Sequence, residues 1–323
     1  MKAHSYREYG LSLLLLLMFA SVAVLSYPLN LQAEQTVIGV VYPQMREPYR
    51  GVFEAIISGI ESSVVHARRF ELSDNVQDNG KVLNWVQEEQ IKTVVALGKQ
   101  GLDSAANFPA EVNVVIGAVL TPPDSVQKAG GILLAPAPDR LFQWLTLLAP
   151  DVKKVTVVYN PELNGWLIEF AHAAARKHKL ILNALPAQDL RTAAQLYRDL
   201  VETGLGANHA VWLPQDSYTV DQQTTLPMLL KASWDQEFVV FSSNPAHVKR
   251  GALFGLYPDN VAMGKRLGEL AANVNGGLEV KNFPIEPLKD LLIAVNLRTA
   301  DHLRLNLDKN LVESLDLTFP ATR

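Results

Sequence analysis

Gly264 and Lys265 form a glycine-lysine pair near the start of a predicted helix, as in phosphate-binding loops. Such a loop needs an earlier glycine, four intervening residues, and a serine or threonine after the lysine. Here Arg266 follows the lysine and the nearest preceding glycine is Gly255. The spacing excludes a nucleotide site. We instead predict that Gly264 and Gly268 share a helix face that another backbone approaches closely, with Lys265 and Arg266 in solvent.

The histidines lack the spacing of a metal or catalytic site. His172 and His178 are six positions apart on one predicted helix, so they do not share a ligand face, and we expect both to be solvated. There is no Gly-x-Ser-x-Gly motif, no Gly-x-Gly-x-x-Gly motif and no cysteine. We therefore predict no catalytic residue, no metal, no cofactor and no enzymatic activity.

Polar, glycine and aromatic residues follow the predicted strands, at the places where open parallel sheets bind ligands. These residues are our candidate ligand-binding site: Gln44, Tyr49, Gly98, Lys99, Gln100, Thr121, Ala137, Asn160, Gln215, Asp216, Ser217, Asn244 and Tyr257.

The helix starts at 98–100 and 216–218 offer free N–H groups to a carboxylate, and Asp216 could hold an ammonium group. Each assignment has a structural alternative. Asp216 and Ser217 could form a helix cap and turn, Lys99 could be a surface lysine, and Asn160 starts a turn in either case. Ring faces could come from tyrosines near the strand ends: Tyr42, Tyr49, Tyr159, Tyr218 and Tyr257. The tryptophans we assign to core packing are Trp85, Trp144, Trp212 and Trp234, with Trp166 left open.

Composition limits the class of protein. The 323 residues are 48% hydrophobic, enough for two domains, and the net charge of −4 leaves no basic surplus for nucleic acid. The absence of cysteine excludes disulfides, thiolate metal sites and a lipidated N-terminal cysteine.

The first 33 residues have the pattern of an export signal. Lys2 and Arg7 precede an apolar run from Leu11 to Leu25, followed by Pro28 and the small residue Ala33. We predict cleavage after Ala33 and a periplasmic protein. The alternative is an uncleaved anchor, but the run is shorter than the roughly 20 residues that a spanning helix prefers.

From Thr36 onward, β-branched runs alternate with helical patterns. The predicted strands include TVIGVVY, RFELS, TVVAL, VNVVIGAV and GGILL, and a second series begins with KKVTVVYN. This alternation predicts an α/β fold with parallel sheets, in two units that meet near Pro136–Arg140. We expect Pro227 to break or bend a helix, and Asp259 to cap the helix that contains Gly264.

Several motifs, taken in order, resemble the family of ABC-transporter substrate-binding proteins that includes tryptophan- and tyrosine-binding lipoproteins. They are VVALGKQGLDSA, LFQWLTLLAPDVKKVTVVYNPELNGW, VKRGALFGLYPDNVAMGKRLGELAANV and AVNLRTADHLRLNL.

This resemblance implies a type I periplasmic-binding-protein fold, with two Rossmann-like lobes joined by a hinge of three crossings and the ligand between them. By analogy, the signal peptide is 1–33, the N-terminal lobe is 34–138 plus 258–283, and the C-terminal lobe is 139–257 plus 284–323. The lobes would close on the ligand by hinging near Pro138 and Tyr257–Pro258.

Two segments depart from the family pattern: Gly98-Lys99-Gln100 and the APAPD segment that contains Ala137. With a lysine near the site, an anionic or neutral polar ligand is as plausible as an aromatic amino acid.

The sequence thus predicts a monomeric solute-binding protein that captures a small molecule, an amino acid or similar, for an ABC-type uptake system. The alternative is a periplasmic binding module that serves a sensor or an outer-membrane uptake system. No nucleic-acid partner is expected.

Overall fold

A computed structural model describes residues 37–73, 78–120 and 129–321. The predicted signal segment and Thr121 lie outside these ranges. Within them, none of the helices has the length and hydrophobicity needed to cross a membrane.

The described chain alternates strands and helices. The strands are β1 (Ile38–Pro43), β2 (Ala67–Leu72), β3 (Thr93–Leu97), β4 (Asn113–Gly117), β5 (Ala129–Pro136), β6 (Lys154–Tyr159), β7 (Ile181–Pro186), β8 (His209–Leu213), β9 (Val239–Ser242), β10 (Phe254–Pro258), β11 (Ile285–Leu288), β12 (Leu291–Asn296) and β13 (Leu317–Phe319). The helices are α1 (Tyr49–Ser63), α2 (Asp78–Glu88), α3 (Gly98–Ala105), α4 (Pro138–Leu148), α5 (Pro161–Lys177), α6 (Leu190–Glu202), α7 (Thr225–Gln236), α8 (Pro245–Arg250), α9 (Asn260–Asn275), α10 (Leu297–His302) and α11 (Lys309–Glu313), with a 3-10 turn at Val280–Asn282.

The strands form two sheets. The first has the order β11-β5-β4-β3-β1-β2, and all its pairs are parallel. Its central strands are continuous apolar runs because helices cover both faces, as β3 illustrates with five buried residues. The predicted α/β class and the five strands from TVIGVVY to GGILL are confirmed.

The second sheet has the order β13-β12-β10-β9-β8-β6-β7. Its pairs are parallel except for β10 and β12, which are antiparallel with Phe254 opposite Val295 and Tyr257 opposite Leu292, so that β12 and β13 both run opposite to the other five strands. The reversal follows from connectivity. β12 comes directly from β11 through Lys289 and Asp290, so it enters the second sheet at the edge where β10 ends and must run the other way.

The chain passes between the two sheets three times, at Ala137, after Pro258, and at 289–290. These crossings are bonded to one another. The Ala137 N–H donates to the Leu288 carbonyl at 2.8 Å, and the Asp259 N–H donates to the Asp290 carbonyl at 3.1 Å. The crossings therefore form one compact connection.

Sheet membership refines the predicted lobe boundaries. We predict Ile285–Leu288 in the C-terminal lobe, but this segment pairs with β5 in the first sheet. The third crossing therefore follows Leu288 rather than residue 283. The pairing is between strands about 150 residues apart, and a four-residue strand carries too little periodicity to reveal it. The division into two lobes itself stays a prediction.

Glycines bring α1 and α9 into backbone contact. A Cβ on Gly264 would lie 2.0 Å from the Ile56 carbonyl oxygen, and one on Gly268 would lie 2.8 Å from the Ile60 oxygen. Likewise, a Cβ on Gly59 would lie 2.2 Å from the Val261 carbonyl oxygen. The predicted close approach is confirmed. Lys265 is exposed on the other side of the helix, as expected.

Three local expectations are wrong. Pro227 neither breaks nor bends a helix, because α7 begins at Thr225 and its first turn needs no N–H at that position. His178 is not solvated, since its Nε2 lies 2.8 Å from the Asp139 carboxylate. Trp234 is not core, with 40% of its surface exposed. Trp212, by contrast, is fully buried as predicted.

Candidate ligand-binding site

Gly98 connects β3 to α3 in a conformation that favours glycine, with φ of +70°. A Cβ there would lie 3.1 Å from the Phe53 ring. The residue before it, Leu97, provides no side-chain cap for α3. The N–H groups of the first turn of α3 are therefore not occupied by a capping side chain, as binding a carboxylate requires.

The other candidates after the first-sheet strands differ in exposure. Gln44 and Tyr49 lie on the surface after β1, and Tyr49 is 63% exposed. Gln100 is half-buried in α3. The Lys99 side chain is 85% exposed and forms an ion pair with Asp103, one turn further along the helix, at 3.0 Å. Its contacts are those of a surface lysine, the structural alternative.

Asp216 is 5% exposed, and both its carboxylate oxygens are engaged. Oδ1 accepts hydrogen bonds from the N–H groups of Tyr218 (2.9 Å) and Thr219 (3.2 Å). Oδ2 accepts from the Asn160 N–H (2.7 Å) and the Asn164 side-chain amide (3.1 Å). Four donors use the capacity of a carboxylate. These bonds are those of the structural alternative, a cap and turn, and the role of Asp216 in holding a ligand ammonium group stays a prediction.

Asn160 and Asn244 are helix caps. The Asn160 side-chain oxygen accepts from the N–H groups of Glu162 and Leu163 at the start of α5. The Asn244 oxygen accepts from the Ala246 N–H at the start of α8. Both side chains therefore stabilise the helices that follow β6 and β9. Of the predicted site residues, Asn160 and Asp216 are brought into direct contact.

The helices that follow the strands differ in their side-chain caps. After second-sheet strands, α5, α6 and α8 are capped by Asn160, Asp189 and Asn244, whereas α7 has no side-chain cap. After first-sheet strands, α1, α3 and α4 have no side-chain cap. Among the candidate residues, Gly98 thus begins an uncapped helix N-terminus, which attracts negative charge.

Gln215 has a buried side-chain oxygen with no hydrogen-bond partner among the described residues. Two nearby hydroxyls share this property: Thr219 Oγ1 and the hydroxyl of Tyr197, which is fully buried. Burial, together with the Asp216 charge, raises the pKa of Tyr197. Ser217, in the same turn, is exposed. A buried oxygen without a partner is costly unless water or a ligand satisfies it, so Gln215 is the candidate acceptor here.

Ala137 and Tyr257 lie at the crossings. Ala137 is 3% exposed and bonded to Leu288 through its N–H, so it supports the connection. Tyr257 is half-buried in β10, and burial, with the Asp316 charge, raises the pKa of its hydroxyl.

Trp166 and Asn164, on α5, are residues that the sequence did not assign to the site. The Trp166 ring packs against the hydrophobic core of the second sheet and also against a first-sheet cluster that includes Ile116 and Leu133. Trp166 thus bridges the two halves of the molecule. Its position after the Asn160 loop was the only signal in the sequence, whereas Asn164 carried none.

The fold is that of type I periplasmic binding proteins, and solved structures support it. A ligand-free, open substrate-binding protein with adhesive properties from Clostridium difficile aligns with a TM-score of 0.60 and 16% identity, covering 88% of this chain and 98% of that one. A domain from Streptococcus pneumonia in complex with L-Trp aligns with a TM-score of 0.51 and 16% identity, covering 87% and 100%.

The family model for ABC transporter substrate binding protein matches residues 136–317, and the chain belongs to this family. A curated relative, a tyrosine-binding protein from Clostridioides difficile, is 23% identical over 229 residues. The match covers 67% of this chain and 64% of that relative's length.

Proposed function

We propose that this protein captures a small molecule, an amino acid or a similar solute, between its two lobes in the periplasm and delivers it to an ABC-type uptake system. The observation that carries the proposal is the family match over residues 136–317, within a fold whose two sheets are joined by three crossings. The relatives described as tyrosine-binding and as solved with L-Trp favour an amino acid.

The chemistry of the strand ends fits a zwitterion. The uncapped start of α3 after Gly98 would take the carboxylate through backbone N–H groups. The unpartnered oxygen of Gln215, after β8, would accept a hydrogen bond from the ammonium group. In this arrangement the first lobe supplies the donors and the second lobe supplies the acceptor.

A thermal-shift screen tests the ligand class, because a ligand that binds only the native state raises its melting temperature. L-tyrosine and L-tryptophan are the first probes, and tyramine and tryptamine, which lack the carboxylate, are the matched controls. We expect a shift with an amino acid and none with its amine. If no amino acid produces a shift, the ligand belongs to another class.

Gln215→Ala tests the acceptor. We expect roughly tenfold weaker binding of the amino acid identified in the screen, about 1.4 kcal/mol, in calorimetric titration. Gln222→Ala, at an exposed position outside the candidate site, should leave affinity unchanged. Equal affinities of the two variants would remove Gln215 from the site.

Export is tested separately. Mass spectrometry of the protein from a periplasmic extract should give the mass of a chain that begins at Glu34. A full-length mass in the membrane fraction would favour the anchored alternative.

A further inference from the structure

A cavity of about 630 Å³ lies in the second lobe, away from the candidate site. It is bounded by α7, by the end of α8, by the β12–α10 junction at Asn296, and by Phe319 and Pro320. Asn296 ends β12 and its N–H bonds to Leu253, just before β10 starts. Because β12 and β10 are antiparallel, this is the edge of the sheet opposite the strand ends that carry the candidate residues.

Three cations line the cavity: Lys249 and Arg250 at the end of α8, and Arg298 in α10. None of the three forms an ion pair with a carboxylate in the described part of the chain. The nearby acidic residues Asp235 and Glu237 are engaged elsewhere, with Lys231 and Arg304. The cavity therefore concentrates uncompensated positive charge.

The other walls are apolar. Leu230, Trp234 and Phe319 contribute side chains. The Trp234 ring is stacked on His302 with centroids 3.5 Å apart, and the Arg298 guanidinium lies 5.5 Å from the Trp234 ring centroid. Asn296 and Thr299, which also line the cavity, are satisfied internally, by bonds to the Val248 and Gly251 carbonyl groups.

We propose that this cavity is a second binding site, for a small organic anion that has a phosphate or carboxylate group and an apolar body. Arg250 and Arg298 offer planar donors that match the oxygens of either group, and Lys249 adds charge. The apolar wall accommodates the body of the ligand. The cavity volume falls in the range of small-molecule sites.

The test uses anilinonaphthalene sulfonate, an aromatic anion whose fluorescence rises on binding. The Arg250→Gln, Arg298→Gln double variant should bind the dye at least tenfold more weakly. The control removes two exposed cations elsewhere, Arg191→Gln with Lys265→Gln, and should retain wild-type affinity. Equal affinity of all three proteins, or an equal loss in both variants, would overturn the proposal.

Two further measurements locate the dye and define its chemistry. Energy transfer from tryptophan to the bound dye should fall in Trp234→Phe, because Trp234 lines the cavity. Phenyl phosphate or benzoate should displace the dye, and benzyl alcohol should not; which anion competes better separates phosphate from carboxylate ligands. Undiminished transfer, or displacement by benzyl alcohol alone, would contradict the assignment.

Folding of each variant is checked by circular dichroism. If the double variant does not fold, Lys249→Gln, at an exposed position of the same wall, should still weaken dye binding about threefold. No loss in that variant would count against the site. The results of the dye experiments do not depend on the proposed amino-acid site, because the thermal shift with the amino acid identified in the screen is recorded separately.

Discussion

The Asp216 carboxylate accepts a hydrogen bond from the backbone N–H of Asn160 at 2.7 Å, and so joins the turn after β8 to the start of α5. Asn160 in turn caps α5, so the two side chains form one unit. Together they hold the loops that follow β6 and β8 in one arrangement.

Asp216→Ala should destabilise the protein rather than merely weaken binding. Its loss leaves the N–H groups of Asn160 and Thr219 without their buried acceptor, and we expect about 3 kcal/mol in urea unfolding. Asp189→Ala removes a cap in which the carboxylate is exposed, and should cost clearly less stability. Similar losses of stability in the two variants would contradict the role of Asp216 as a buried hydrogen-bond acceptor.

Gly264→Ala should reduce the free energy of unfolding by at least about 2 kcal/mol, because the added methyl group meets the Ile56 carbonyl of α1. Gly165→Ala in α5 is the matched control, since no atom lies within 4 Å of its added methyl group. That variant should gain up to about 1 kcal/mol from helix propensity. The prediction fails if both substitutions change stability in the same direction.

Trp166→Ala should loosen the two lobes in the absence of ligand, because the ring contacts hydrophobic clusters of both. We expect a larger radius of gyration by small-angle scattering. Phe170→Ala removes the neighbouring ring on α5, in edge contact with Trp166 and 40% exposed, and is the control. An unchanged radius in Trp166→Ala would mean that the crossings alone fix the lobe arrangement.

His247 should make stability fall with pH below neutrality. Burial, with the nearby Arg250 charge, lowers its pKa to about 4. The unfolded chain takes up this proton near pH 6.5 and the folded chain only near pH 4, so stability is lost between these values and no further below them. The loss is roughly 3 kcal/mol. His247→Gln should flatten part of the pH profile of urea unfolding, whereas replacing the exposed His172 should not.

Much of the fold can be predicted from the sequence. Buried parallel strands give unbroken apolar runs, and helix caps are marked by capping residues just before a helical pattern. Asp259 illustrates this, since its side chain accepts from the Ala262 N–H as predicted. The return of β11 to the first sheet cannot be predicted in this way, because it depends on pairing with β5, which is distant in the sequence.

The candidate site can be predicted from the sequence less completely than the fold. Position after a strand selected Gln215 and Asp216 equally, yet one has a free buried oxygen and the other has four donors. That difference depends on Asn164, which lies far away in the sequence. The orientation of the Lys99 side chain cannot be predicted for a similar reason, because its ion pair with Asp103 determines that orientation.

The interleaved strand order has a consequence for biosynthesis. The first sheet receives its edge strand β11 only after five strands of the second sheet have left the ribosome, and β12 then completes the pairing of β10. Neither half can be excised as one uninterrupted piece of chain. A translation product that ends before Ile285 would leave β5 and β10, which are interior strands of the complete sheets, as unpaired edges, and such edges invite association with other chains.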